Sequence, residues 1–205
     1  GQKVARFCQA IGMSVQAYDP LLTGPSPIEG VAVLASLDQL LTTSDVVSLH
    51  VPLTAQTRHL INAQTLGQMR PEAFLINTSR GALIDTEAAI TAIKSGRIGG
   101  LALDVYEEES ELFFEDLSFQ IIQDDVFMRL TTFPNVLVTG HQAFFTYEAM
   151  SNIAKTTLSN LTDFETGRGF GHENLGQVVE VGDAVHGADE VDQQLVAVLG
   201  LGAFL

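Results

Sequence analysis

The sequence predicts an α/β chain built around an open parallel sheet, and three observations carry that expectation. Over positions 1–139, short β-rich apolar runs alternate with helical stretches, the pattern left by successive β–α–β units. The helical stretches carry their own start and stop residues. Polar side chains gather where the apolar runs end, as they do at the carboxyl edge of such a sheet. With 205 residues and 46% hydrophobic content, the chain is long enough to bury one substantial core.

Strands are expected at 13–18 (MSVQAY), 31–35 (VAVLA), 46–51 (VVSLHV), 73–77 (AFLIN), 101–105 (LALDV) and 135–139 (NVLVT). VARFCQAIG closes on Gly12, a C-terminal stop, and DTEAAITAIKSG runs from an N-cap at Asp85 to Gly96. Beyond His141, YEAMSNIAKTTLSNLTDFETG reads as one long helix. Downstream of Arg168 there is no Lys or Arg, which places a boundary between 167 and 171. The expected divisions are 1–144, 145–170 and an acidic Gly/Val-rich extension, 171–205.

Twenty-five acidic against ten basic side chains give a net charge of −15. That sign is wrong for tracking nucleic acid or an anionic membrane, so an anionic ligand must be held by a few local groups. Cys8 is the only cysteine, which excludes an internal disulfide or a Cys-rich metal site and fits a reducing cytoplasm. No signal-like start is visible, and the longest apolar stretch, 195–205, is too short to span a bilayer. The expectation is a soluble protein.

Asp19 follows the first strand, His50 and Pro52 the third, and Thr78, Ser79 and Arg80 the run AFLIN; Asp104 ends LALD and His141 follows NVLVTG. Arg80, directly behind an apolar run, is therefore aimed into a crevice beyond the sheet. Gly1 opens a helix and Asp19 ends the next strand, which fits the last glycine and the ribose-binding carboxylate of a dinucleotide fingerprint. Taken singly, such residues read as turn formers or solvated loop positions.

In order and spacing, NTSRGALID, DVYEEE, LFFED, QDDVF and GHQAF resemble the D-isomer-specific 2-hydroxyacid dehydrogenases, nearest to their D-lactate dehydrogenase branch, from Gly1 to about Leu175. The resemblance implies a Rossmann-like doubly wound parallel sheet that lacks its first strand, followed by a C-terminal helix belonging to the substrate domain. It implies an NAD-dependent oxidoreductase that interconverts a 2-oxo acid such as pyruvate and the D-2-hydroxy acid. By the same match, Arg80 grips the substrate carboxylate and polarises its carbonyl, Glu109 pairs with the catalytic histidine, and His141 donates the proton. Gly1, Asp19, Val51, Pro52, Thr57, Thr78, Ser79, Arg80 and Asp104 match cofactor-binding positions; no metal is implied. The partners implied are a small 2-oxo or 2-hydroxy acid and, at full length, a second copy in a homodimer.

The chemistry is intelligible in these residue types. Hydride delivery to a carbonyl carbon builds negative charge on oxygen, so a positioned acid and a fixed cation lower the barrier. Arginine holds a carboxylate with a planar fork and stays charged. Histidine exchanges protons near neutrality, and a neighbouring carboxylate favours its imidazolium. A carboxylate at position 19 accepts bonds from ribose hydroxyls and repels the extra phosphate of NADP, which implies NAD. His50 and His59 read as structural, His172 and His186 as exposed, and Cys8 as core. Among the carboxylates between 107 and 116 only Glu109 is assigned a role.

Family members place another strand between those at 13–18 and 46–51, so two inner edges are expected to lie unpaired here. LVAVLGLGAF (195–204) has the look of a strand and could slot into that position, although an unrelated extension is the favoured reading of so short a tail. Two other functions stay open: another 2-hydroxyacid dehydrogenase, of phosphoglycerate or hydroxyisocaproate type, and a non-catalytic NAD-sensing or protein-binding relative.

Overall fold

The computed structural model describes residues 1–22, 24–109, 112, 122–166 and 196–200; His172 and His186 lie outside them. Strands β1 (Ser14–Tyr18), β2 (Ala32–Val33), β3 (Val46–Leu49), β4 (Phe74–Asn77), β5 (Gly100–Leu103), β6 (Val136–Val138) and β7 (Val196–Gly200) form one sheet, in the order β2-β1-β7-β3-β4-β5-β6. The pairs β1–β2, β3–β4, β4–β5 and β5–β6 are parallel. Helix α1 (Gln2–Ala10) precedes β1, and α2 (Leu37–Thr43), α3 (Ala63–Gln68), α4 (Thr86–Lys94) and α5 (Asp125–Thr131) each link consecutive strands from β2 to β6, as β–α–β crossovers require, whereas β1 and β2 follow one another with no helix between them among the described residues. The fold is thus the expected Rossmann-like α/β sheet, with shorter strands than the apolar runs suggest.

Local signals account for the helices. Asp85 caps α4, its side chain accepting the Ala88 N–H at 3.0 Å. Asn62 and Thr65 form a reciprocal capping box on α3. Gly12 takes φ +89° just past α1, a left-handed position that strains any other residue. The apolar face of α4 buries Ala89, Ile90, Ala92 and Ile93. In the sheet, Val47, Leu75 and Leu101 lie opposite one another on three adjacent strands, each almost wholly buried. A smaller core gathers Ala5, Cys8, Val15, Ala17, Ile28 and Val31, so Cys8 is a packing residue, as its place in the helical pattern suggests.

The tail departs from the favoured expectation. β7 lies between β1 and β3, with Gln16↔Val198 on one side and Val47↔Val198 on the other, and it runs antiparallel to both. The two inner edges are therefore paired, which corrects the expectation that they lie open and that the tail is an unrelated extension. The physical reason is that each edge offers a row of N–H and C=O groups that an antiparallel strand satisfies as well as a parallel one. The apolar VAVLG run thus takes the position although its direction is reversed.

The chain divides into two compact units, one holding the sheet up to His141 together with β7, the other holding α6 (Tyr147–Glu165). α6 is capped by Thr146, which accepts the Ala149 N–H. It has no buried residue, and Tyr147, Leu158, Leu161 and Phe164 are exposed. Among the described residues no helix is long and apolar enough to cross a membrane.

If β7 closes the sheet, Val198→Pro removes a central ladder donor and lowers the melting temperature by roughly 10 °C. Thermal unfolding followed by circular dichroism checks this, and an unchanged melting temperature contradicts the assignment.

Candidate functional site

The ladder between β4, β5 and β6 continues past the strands themselves. The Asp104 N–H donates to the Asn77 carbonyl at 2.9 Å, and the His141 N–H donates to the Asp104 carbonyl at 2.5 Å. Arg80 and His141 thus follow the carboxyl ends of β4 and β6, the two strands that flank β5.

NTSRG is a built turn. Asn77 is fully buried between Leu49 and Leu103 on the flanking strands, and a buried amide must be satisfied. Its Oδ1 accepts the Ser79 N–H at 3.0 Å, and its Nδ2 donates to the Arg80 carbonyl at 2.8 Å. Ser79 Oγ donates to the Val51 carbonyl at 2.7 Å, tying this turn to the end of β3. A Cβ at Gly81 would lie 2.1 Å from the Tyr106 backbone, so only glycine lets the next segment approach. Between these restraints the half-buried Arg80 enters a short 3-10 turn, Gly81–Leu83, and its Nη1 donates to the Ser79 carbonyl at 2.8 Å.

His141 has φ +55° and follows Gly140 at +61°, so the chain turns sharply as it leaves β6. Its Nδ1 lies 3.0 Å from Glu109 Oε1, both side chains being more than four-fifths buried at 17% and 19% exposure. The other oxygen, Oε2, accepts the Tyr106 N–H at 2.9 Å. The carboxylate is thereby fixed through both oxygens, and the imidazole is oriented through Nδ1. The Tyr106 phenol donates to Asp124 Oδ2 at 2.7 Å; burial, then Asp124, hold it well above the usual phenol range. Asp104 is itself buried, with Oδ1 accepting from the Thr139 hydroxyl.

The positions expected to hold a cofactor fall at the start of α1 and after β1, β3, β4 and β5. Asp19 is 4% exposed. Its Oδ1 accepts the Leu21 N–H at 2.8 Å, while its buried Oδ2 meets no partner among the described residues. An orphaned carboxylate oxygen is costly, and a hydroxyl pair such as a ribose offers the donor it lacks. Gly1 caps α1, its carbonyl accepting the Ala5 N–H at 2.9 Å. Val51 is buried, whereas Pro52 and Thr78 are exposed. Thr57 Oγ1 donates to the Pro52 carbonyl and accepts the Thr54 N–H, both at 2.7 Å, so it braces its own turn.

His50 bonds Ser48 Oγ at 2.9 Å. Burial holds its pKa well below the usual imidazole range. Sequence reasoning missed Asn77, Tyr106, Asp124 and Glu107. An Asn at a strand end followed by Ser is a readable turn signal. Glu107 is not: it accepts from Arg58 at 2.9 Å and from His59 at 2.8 Å, partners far away in the chain.

Residues 1–143 match the model of the D-isomer specific 2-hydroxyacid dehydrogenase, NAD binding domain. The chain is 56% identical to the 2-hydroxyacid dehydrogenase A of Aspergillus oryzae over 164 residues, covering 80% of this chain and 47% of that protein. It is 48% identical to the D-lactate dehydrogenase of Escherichia coli over 167 residues, 82% of this chain and 50% of that one. The solved pyruvate reductase of Chlamydomonas reinhardtii superposes with a TM-score of 0.78 at 43% identity, over 83% of this chain and 52% of its own. The chain thus spans about half the length of the relatives it matches.

Asn77→Leu removes both bonds that shape the NTSRG turn and takes from the Ser79 N–H the acceptor it has in Asn77 Oδ1. It is expected to cost about 1–3 kcal/mol in a urea melt; unaltered stability contradicts the role assigned to this amide.

Proposed function

The chain belongs to the D-isomer specific 2-hydroxyacid dehydrogenases, and from that premise we propose that its carboxyl edge reduces a 2-oxo acid, pyruvate, to the D-2-hydroxy acid, D-lactate, using NADH. The observation that carries the reading is the buried Glu109–His141 pair, held at the edge where Arg80 ends the neighbouring turn. The D-lactate dehydrogenase of Escherichia coli and the pyruvate reductase of Chlamydomonas reinhardtii among the similar proteins support this choice of substrate.

The residues fit the cofactor. The orphaned Asp19 Oδ2 suits ribose hydroxyls and disfavours a 2′-phosphate, the Gly1 end of α1 suits a pyrophosphate, and Val51, Pro52, Thr57, Thr78, Ser79, Arg80 and Asp104 complete the proposed lining. Nicotinamide, when bound, supplies the hydride. The Arg80 guanidinium then binds the substrate carboxylate and draws charge towards the carbonyl oxygen. With Nδ1 engaged by Glu109, the proton leaves from His141 Nε2 to that oxygen, completing the alcohol. Glu109 holds the ring in place and stabilises the imidazolium before transfer. The proposal includes a cytoplasmic setting, which the lone Cys8 suits, and a homodimer at full length, for which exposed Phe7 on α1 and Ile11 just past it offer apolar surface.

Steady-state kinetics of the full-length gene product with NADH and pyruvate test this reading. His141→Ala is expected to reduce kcat by about 100-fold or more with little change in NADH affinity, whereas unaltered turnover overturns the proton-donor assignment. Asp19→Ala is expected to relax the preference for NADH over NADPH; an unmoved ratio removes it from the ribose site.

A further inference from the structure

Three glutamates stand in a row at positions 107–109, and the proposed chemistry uses one of them. Something must set which carboxylate reaches His141. The last ladder bond before them is the one donated by the Asp104 N–H, so ladder geometry does not extend to Glu109. We propose that Tyr106 is a positioning residue for the Glu109–His141 pair, its phenol clamped by Asp124 so that its own N–H holds Glu109 in place; the inference rests on the catalytic reading of that pair.

The geometry is a relay of named bonds. Asp124 accepts two donors with two oxygens: Oδ1 takes the Phe127 N–H at 2.8 Å as the N-cap of α5, and Oδ2 takes the Tyr106 hydroxyl at 2.7 Å. The rigid end of a helix is thereby bonded to the tyrosine ring. Phe127 packs on the same ring, centroids 5.3 Å apart and tilted by 58°. The ring is 5% exposed, and the Gly81 turn lies against its backbone. At the other end of the residue, the N–H reaches Glu109 Oε2, leaving Oε1 for His141. Glu107 is withdrawn from competition by Arg58 and His59. Loss of the hydroxyl would release the ring from α5 and let the turn bearing Glu109 shift by fractions of an ångström, enough to weaken an ion pair without unfolding the domain.

The test follows the His141 Nδ1–H signal by 1H–15N NMR at one fixed pH, which needs neither substrate nor cofactor. Arg80 and Asp104, at the ends of β4 and β5, are left intact in every variant. Glu109→Gln is expected to move that signal upfield, because the charge-assisted hydrogen bond to the carboxylate is lost. Tyr106→Phe should move it in the same direction, and Asp124→Ser, which keeps the helix cap, should match Tyr106→Phe. In the Glu109→Gln background, Tyr106→Phe should add no further shift. A signal unmoved by Tyr106→Phe overturns the proposal, as does one moved equally with and without the Glu109 carboxylate. Turnover of the full-length gene product is followed beside it. If His141→Ala leaves turnover intact the catalytic reading falls, while the NMR signal still decides whether Tyr106 positions the pair.

Discussion

The site depends on a ladder that does not stop where the strands do. Through its main chain Asp104 joins the end of β4 to the residue that follows β6, accepting from His141 and donating to Asn77. Each such bond contributes only about 1 kcal/mol, but together they set the spacing of three turns whose side chains carry all the proposed chemistry. In a protein of net charge −15, holding a small anion requires a cation that cannot drift. The Asn77 amide, the Ser79 tie to Val51 and the close approach at Gly81 provide that constraint for Arg80.

The centre of the sheet is held differently. β7 comes from the far end of the chain and runs against its neighbours, at the position where the sequence led us to expect two open edges. Backbone hydrogen bonding is indifferent to where in the sequence a strand originates, and an apolar five-residue run is enough to satisfy two edges at once. What an antiparallel strand changes is the end it presents. Val196, at its start, meets Tyr18 at the carboxyl edge, close to Asp19. The proposed cofactor edge and the closure of the sheet are therefore adjacent features of one fold.

Much of this was legible in the residues. The alternation of apolar runs and helices announced the sheet, Asp85 announced α4, and the polar residues after each run announced the edge. Recognition of Glu109 and His141 needed the motif as a whole, because a lone histidine after a strand carries little information. Other features were hidden for physical reasons. Asp124 and Tyr106 meet from 18 positions apart, and Glu107 meets Arg58 and His59 from 49 and 48 positions away, contacts that no local periodicity encodes. The direction of β7 was equally unreadable, since a short VAVLG run is compatible with either orientation.

One measurement decides most directly whether Arg80 and His141 converge on a single small anion: a crystal structure of the full-length gene product with NADH and oxamate, an unreactive analogue of pyruvate. The oxamate carboxylate is expected to be gripped by Arg80 and its amide carbonyl oxygen to lie within about 2.7–3.2 Å of His141 Nε2, with Glu109 still on Nδ1. Oxamate bound away from either side chain, or an imidazole turned off Glu109, would contradict it.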